Sequence, residues 1–388
     1  MSQRFNKQMK VAAVDVDLFV NCIDKESQVE EAEHVLMNLR QTRRTRQTLE
    51  STHHAVCRFF LQMNAADRLL HMIQQPIQYG IFPDNICYNL LIDHFLAEDR
   101  ISDAAQTATL FMLQEDFSNP LTNLLVVHAV LKFLALEDRP DWYEKPEGAG
   151  EEAVEEVDED DVEHIRIPYL RNPYFDDHFD LVDTNSLCGK TLFLTGLRME
   201  GQMGQNLQLL GLCLFQKWSQ VSQLLREKAA DVPLCSDVVP LVSKVVDCVD
   251  PESAAKSEAS AVLQALKSLP PDERSVASLV SEKLSAVPEL EREDGEKMSA
   301  LFENWIRQRE IAVRRQMDDL VRDQRIKEII AKRRELHDRK RLLFFFENLN
   351  KHELELEEAE KKLAEVQSKS QVEEEYVPPS IHHQPSST

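Results

Sequence analysis

The sequence predicts an all-α protein: antiparallel helix-hairpin repeats in tandem, a short solenoid in outline, followed by a long charged C-terminal helix or coiled coil. Three observations carry this. Apolar residues recur at helical spacing along most of the chain, and strand-like alternation is scarce. A hairpin-sized pattern returns after roughly 35 residues, within the range of helical repeats. From Gly295 to Pro378 neither glycine nor proline interrupts a stretch dense in Glu, Lys, Arg and Leu, the composition of a long exposed helix.

The clearest hairpin lies between Tyr79 and Phe117. Pro83 biases Phe82 away from helix, and Asp84 or Asn85 is placed to cap a helix starting near Ile86. Leu90, Leu91, His94 and Phe95 then follow helical spacing, the polar run from Ala97 to Ser102 breaks it, and Ala104, Ala105, Ala108, Phe111 and Met112 resume it. One hairpin cannot bury its own apolar face, so copies are expected beside it. Glu50 to Asp84 lies over Asn85 to Asn119 without a gap, bringing Leu69 and Leu70 over Ala104 and Ala105. A further step back sets Cys22 over Cys57 and makes Val29, Ala32, Val35 and Leu36 a helix; a step forward gives Leu121 to Leu136. Repeats are therefore expected over 15–136, after an N-terminal segment 1–14 faintly like a presequence through Arg4, Lys7 and Lys10.

Beyond the repeats, residues 137–164 read as an acidic flexible insert, with nine acidic and no basic residues from Glu151 to Glu163. A second helical array is expected over 165–290. It opens on IPYLRNPYFDDHFDL, an extended aromatic segment, and its helices run over Gln205–Glu227, Ser236–Asp250, Glu252–Leu269 and from Asp272 to Leu284. Asp176, Asp177, His178 and Asp180 are adjacent on an extended segment, so their side chains alternate between faces and do not converge on a metal. Gly189, Lys190 and Thr191 end like a phosphate loop, but Thr184 stands where its first glycine is required. Residues 295–371 form the charged arm, one helix or two joined near Phe346, and 372–388 a disordered tail. Leu342 to Phe346 is too apolar to leave wet, so it is expected to dock on protein.

Charge and cysteine usage narrow the function. The seven cysteines are scattered singly, which suits a reducing compartment and small buried groups rather than a disulfide framework. The net charge of −23 disfavours a uniformly nucleic-acid-binding surface, yet Glu303 to Arg341 carries thirteen Lys and Arg against eight Asp and Glu. Arg40, Arg43, Arg44 and Arg46 form a second basic knot, suited to phosphate or, alternatively, a solvated loop balanced by Glu30, Glu31 and Glu33. No apolar run is long enough to span a membrane. No hydrolase, zinc-protease or dinucleotide motif is present, so neither catalysis, a cofactor, a metal site nor a small-molecule substrate is expected.

GIFPDNICYNLLIDHF with RISDAAQTATLFMLQ resembles a pentatricopeptide repeat. Together with the acidic insert, NPYFDDHFDL and the basic coil around Trp305, it makes the chain similar to the family of protein twenty-seven of the mitochondrial small ribosomal subunit. That resemblance implies a structural constituent of the small subunit in the mitochondrial matrix, contacting ribosomal RNA and neighbouring ribosomal proteins. It further implies base-reading positions at the fifth and last residues of each repeat, His54 with Asp84 and Asn89 with Asn119; the next frame offers only Leu124. A strand reader needs many such repeats, so backbone or shape contact with folded RNA is the better expectation. On the arm, Arg314, Arg315, Arg322, Arg325, Lys332, Arg333 and Arg334 are the RNA-contact candidates, against a solvated helix laced by salt bridges. Two other functions stay open: a free mitochondrial pentatricopeptide-repeat factor for RNA stability or processing, and a tetratricopeptide-like protein scaffold without RNA.

Overall fold

A computed structural model describes residues 11–142, 181, 183–228, 233–248, 254–270, 272–285 and 287–375. Most of the acidic insert, the aromatic segment before Leu181, the first ten residues and the tail beyond Glu375 lie outside them. The described residues form 16 α-helices and no strand. The chain divides into a first unit ending at Val313 and a second beginning at Arg314.

The N-terminal half of the first unit is the tandem hairpin array. Helix α1 (Ala13–Cys22) and α2 (Val29–Arg40) precede α3 (Glu50–Gln62), α4 (Ala66–Gln74), a single turn α5 (Pro76–Tyr79), α6 (Asn85–Ala97), α7 (Ile101–Gln114) and α8 (Pro120–Ala135). Glu50, Asn85 and Pro120 open their helices at intervals of 35 residues. The turns keep the same beat: Asn64 and Asp99 take positive φ after the first helix of each pair, and Gly80 and Glu115 after the second. In both first-helix turns the chain closes back with a six-residue bond, Ala65 N–H to Phe60 O (2.9 Å) and Arg100 N–H to Phe95 O (2.8 Å), satisfying a terminal carbonyl. Phe60 and Phe95 are both fully buried, each contributing roughly 1.5–3 kcal/mol of apolar burial. Asp84 is the cap of α6, its carboxylate accepting Cys87 N–H at 2.8 Å, so the helix starts one residue before the expected Ile86.

The second array holds α9 (Thr184–Gly196), α10 (Gly201–Leu214), α11 (Trp218–Lys228), α12 (Val238–Cys248), α13 (Ala254–Lys267) and α14 (Val276–Leu284). The single helix expected over Gln205–Glu227 is two. Gln216 takes φ +58°, Lys217 N–H closes onto Leu212 O, and Trp218 buries as the next helix begins. Likewise the helix expected from Asp272 starts only at Val276, where Ser275 caps it through Ser278 N–H. The near phosphate-loop lies inside α9: a Cβ on Gly189 would stand 2.6 Å from Phe215 N and 2.7 Å from Gly211 O, so this glycine serves helix contact. Lys190 is buried against the Phe215 ring. Asn206 fastens the following segment, accepting Cys235 N–H and donating to Pro233 O.

Helix α15 (Val287–Glu347) is 61 residues long; its start packs in the first unit. In the second unit it continues to Glu347, and α16 (Leu349–Glu375) follows after a break at Asn348, close to the joint expected near Phe346. Leu342 to Phe346 do not dock within their unit. All five side chains are exposed, although the His352 ring of α16 stacks on Phe345 at 5.9 Å.

Candidate nucleic-acid interface

His54, Asn89 and Leu124 occupy the same place in successive 35-residue units, and Asp84 and Asn119 precede α6 and α8. In a strand-reading repeat protein this row would face RNA. Here the first part of α15 lies on it. Asn119 caps α8 through Leu121 N–H (2.8 Å) and uses its amide to donate to Asp294 of α15 at 2.7 Å. His54, 2% exposed, sits with Phe302 and Trp305 of α15 at ring distances of 5.5 and 5.2 Å. Arg58 lies over the outer ring, 5.2 Å from the Phe302 centroid. Burial lowers the His54 pKa, opposed by Asp84 and assisted by Arg58. Farther along, Arg309 reaches Asp17 of α1. Asn89 is half-buried, and its amide oxygen has no hydrogen-bond partner. With α15 seated, His54 and Asn119 are engaged by protein and present nothing to a base.

The arginine knot is partly structural. Arg40 donates to Ile77 O at 3.0 Å and to Thr45 Oγ1 at 3.5 Å, and its stem lies against Gly80, whose φ of +67° and missing Cβ admit it. Burial lowers its pKa. Arg43, Arg44 and Arg46 stand in a short 3-10 turn, Arg43–Gln47, with Arg44 half-buried and Arg46 exposed.

The arm is different. Arg314, Arg315, Arg322, Arg325, Lys332, Arg333 and Arg334 are all exposed. Arg322 pairs with Asp319 at 2.6 Å, one helical turn back. The other six have no ion-pair partner among the described residues, so the salt-bridge lacing of a merely solvated helix is largely missing here. Between them Ile326, Ile329 and Ile330 are exposed as well. A helix carrying unpaired guanidinium groups interleaved with apolar ones has the chemistry to neutralise phosphates and to seat on an irregular surface.

A profile of the mitochondrial 28S ribosomal protein S27 family matches residues 1–335. The chain belongs to the mitochondrial 28S ribosomal protein S27 family. The S27 match takes in the whole first unit and runs into the second beyond Arg334, so every candidate cation lies within it. Membership makes this a protein of the mitochondrial small ribosomal subunit and places it in the mitochondrion. No helix among the described residues of this S27-family chain is long and apolar enough to cross a membrane.

Sequence reasoning missed what covers the row. The signal was available in Trp305 and Phe302, two large aromatics on an otherwise charged helix, which mark where that helix is held.

Proposed function

We propose that this S27-family chain is a structural, non-catalytic subunit of the mitochondrial small ribosomal subunit in the matrix, and that it contacts ribosomal RNA through the arm of its second unit. The observation that carries this reading is the row of exposed cations, Arg314, Arg315, Arg325, Lys332, Arg333 and Arg334, without ion-pair partners among the described residues. Such groups displace counterions from phosphates without reading sequence. The apolar run from Leu342 to Phe346, exposed in the second unit, suits a neighbouring ribosomal protein. The hairpins α3–α4 and α6–α7 are pentatricopeptide-type units, supported by the 35-residue beat of helix starts and left-handed turns. They act here as scaffold, because α15 occupies the row a free RNA-processing factor would need open.

Sucrose-gradient sedimentation of mitochondrial lysate tests the proposal. Wild-type chain is expected to co-migrate with the small subunit. A variant with those six cations changed to Glu, shown by circular dichroism to keep its helices, is expected to move to light fractions. Co-migration of the variant equal to wild type would sink the RNA-contact reading.

A further inference from the structure

Beneath Phe302 and Trp305, side chains of metal-binding type meet where the ribosomal reading makes no use of them. His54 and Cys57 stand three residues apart on α3 and so share a face; Asp84 and Cys87 stand three apart at the start of α6. One ligand atom from each of His54, Asp84 and Cys87 lies within 4.8 Å of the other two. Burial and the neighbouring Cys57 thiol push the Cys87 thiol well above its ordinary range. His54 is buried, yet neither of its ring nitrogens has a hydrogen-bond partner. A buried imidazole left wholly unsatisfied is costly, and such orphaned groups in a folded chain call for an unseen partner.

We propose that His54, Cys57, Asp84 and Cys87 form a closed structural zinc site. The donor set is that of zinc: two sulfurs, one imidazole nitrogen and one carboxylate oxygen, from two short-spaced pairs on different helices. Ligands at 2.0–2.3 Å from a tetrahedral ion lie roughly 3.3–3.8 Å from one another, so the three atoms within 4.8 Å would close by up to about 1–1.5 Å, and Cys57, one turn along α3 and outside that group, would turn in as the fourth. Two thiolates and a carboxylate around a divalent ion leave a net charge of −1. The guanidinium of Arg58, stacked over Phe302 and acting electrostatically on His54, stands close enough to offset it. Four protein ligands beside the aromatic rings of α15 would leave no coordination position for a substrate, the mark of a structural rather than a catalytic site. A metal here would tie the start of α6 to α3, fastening two successive repeats. The proposal stands apart from the RNA reading, since it involves no residue of the second unit.

The test uses the full chain, purified under reductant, equilibrated with zinc, and freed of excess by gel filtration. One zinc per chain by elemental analysis is expected, with thiolate-to-metal charge-transfer absorption on cobalt(II) substitution and a lowered Tm on chelation. Cys87→Ser is expected to abolish stoichiometric zinc. Because a serine in that buried place risks misfolding, Asp84→Asn serves as the second variant: asparagine caps a helix as well as aspartate but is a poor zinc ligand, so the fold holds while affinity falls at least about tenfold. Absence of zinc from the reduced wild-type chain would overturn the proposal. So would undiminished affinity in Asp84→Asn, or recovery of a Cys57–Cys87 disulfide in place of zinc from chain trapped in cells.

Discussion

Arg309 on α15 donates its Nε–H to Oδ2 of Asp17 on α1 at 2.5 Å, joining residues 292 positions apart. Asp17 is completely buried, and its other oxygen accepts Ser51 and Thr52 hydroxyls at 2.6 and 2.9 Å. The pair ties the start of the arm to the first helix of the array. It ends the line of contacts that begins at Asn119 with Asp294 and passes through His54 with Trp305.

Removing the arginine strands a buried carboxylate. Arg309→Met is therefore expected to cost about 3 kcal/mol, the low end for a broken buried pair because Arg309 is itself partly exposed. Adding Asp17→Asn should restore part of the loss, since the hydroxyl partners still find an acceptor. Urea unfolding of the two single variants and the double checks this. A single-variant loss below about 1 kcal/mol would mean that the pair is not held as described.

Acid should loosen the array through His53. Burial pushes its pKa down to about 4 from 6.5, only partly opposed by Asp17. Between those values the unfolded chain binds a proton that the folded chain refuses, so stability falls as pH drops from 6.5 to about 4 and then levels. The loss assigned to this one group is about 3 kcal/mol. Urea midpoints of wild type and His53→Gln over that range should converge as pH falls; parallel curves would remove His53 from the account.

The repeats were legible in the sequence because helix spacing and turn chemistry are local. Asp84, Pro83 and the 35-residue register lead directly to α3, α4, α6 and α7. The break at Gln216 was not legible: nothing in Leu214 to Trp218 is a glycine or proline, and the left-handed turn stands just before Trp218 enters the core. Assigning His54 and Asn119 to RNA followed the repeat pattern alone. What engages them comes from residues far downstream, and such long-range pairing leaves no mark on local periodicity.

Where α9 crosses α10 the backbones nearly touch. A Cβ on Gly211 would stand 2.5 Å from Phe193 N and 2.6 Å from Gly189 O, and neither is a flexible side-chain end that gives way. Despite alanine's better helix propensity, Gly211→Ala is expected to destabilise the chain by about 1–3 kcal/mol, as overpacking does. Gly295→Ala, which meets nothing within 4 Å, should be neutral or stabilising. Thermal melts of the two variants against wild type decide it; equal Tm shifts of the same sign would contradict the packing.

On the function proposed above, the exposed cations of the arm lie on ribosomal RNA. Ultraviolet cross-linking of intact mitochondrial small subunits, with nucleotide adducts on this chain mapped by mass spectrometry, tests it most directly. Adducts are expected on peptides spanning Arg314 to Arg334 and absent from the row of His54, Asn89 and Leu124 beneath α15. Adducts on that row with none on the arm would contradict the account, and would mean that α15 leaves the groove in the assembled subunit.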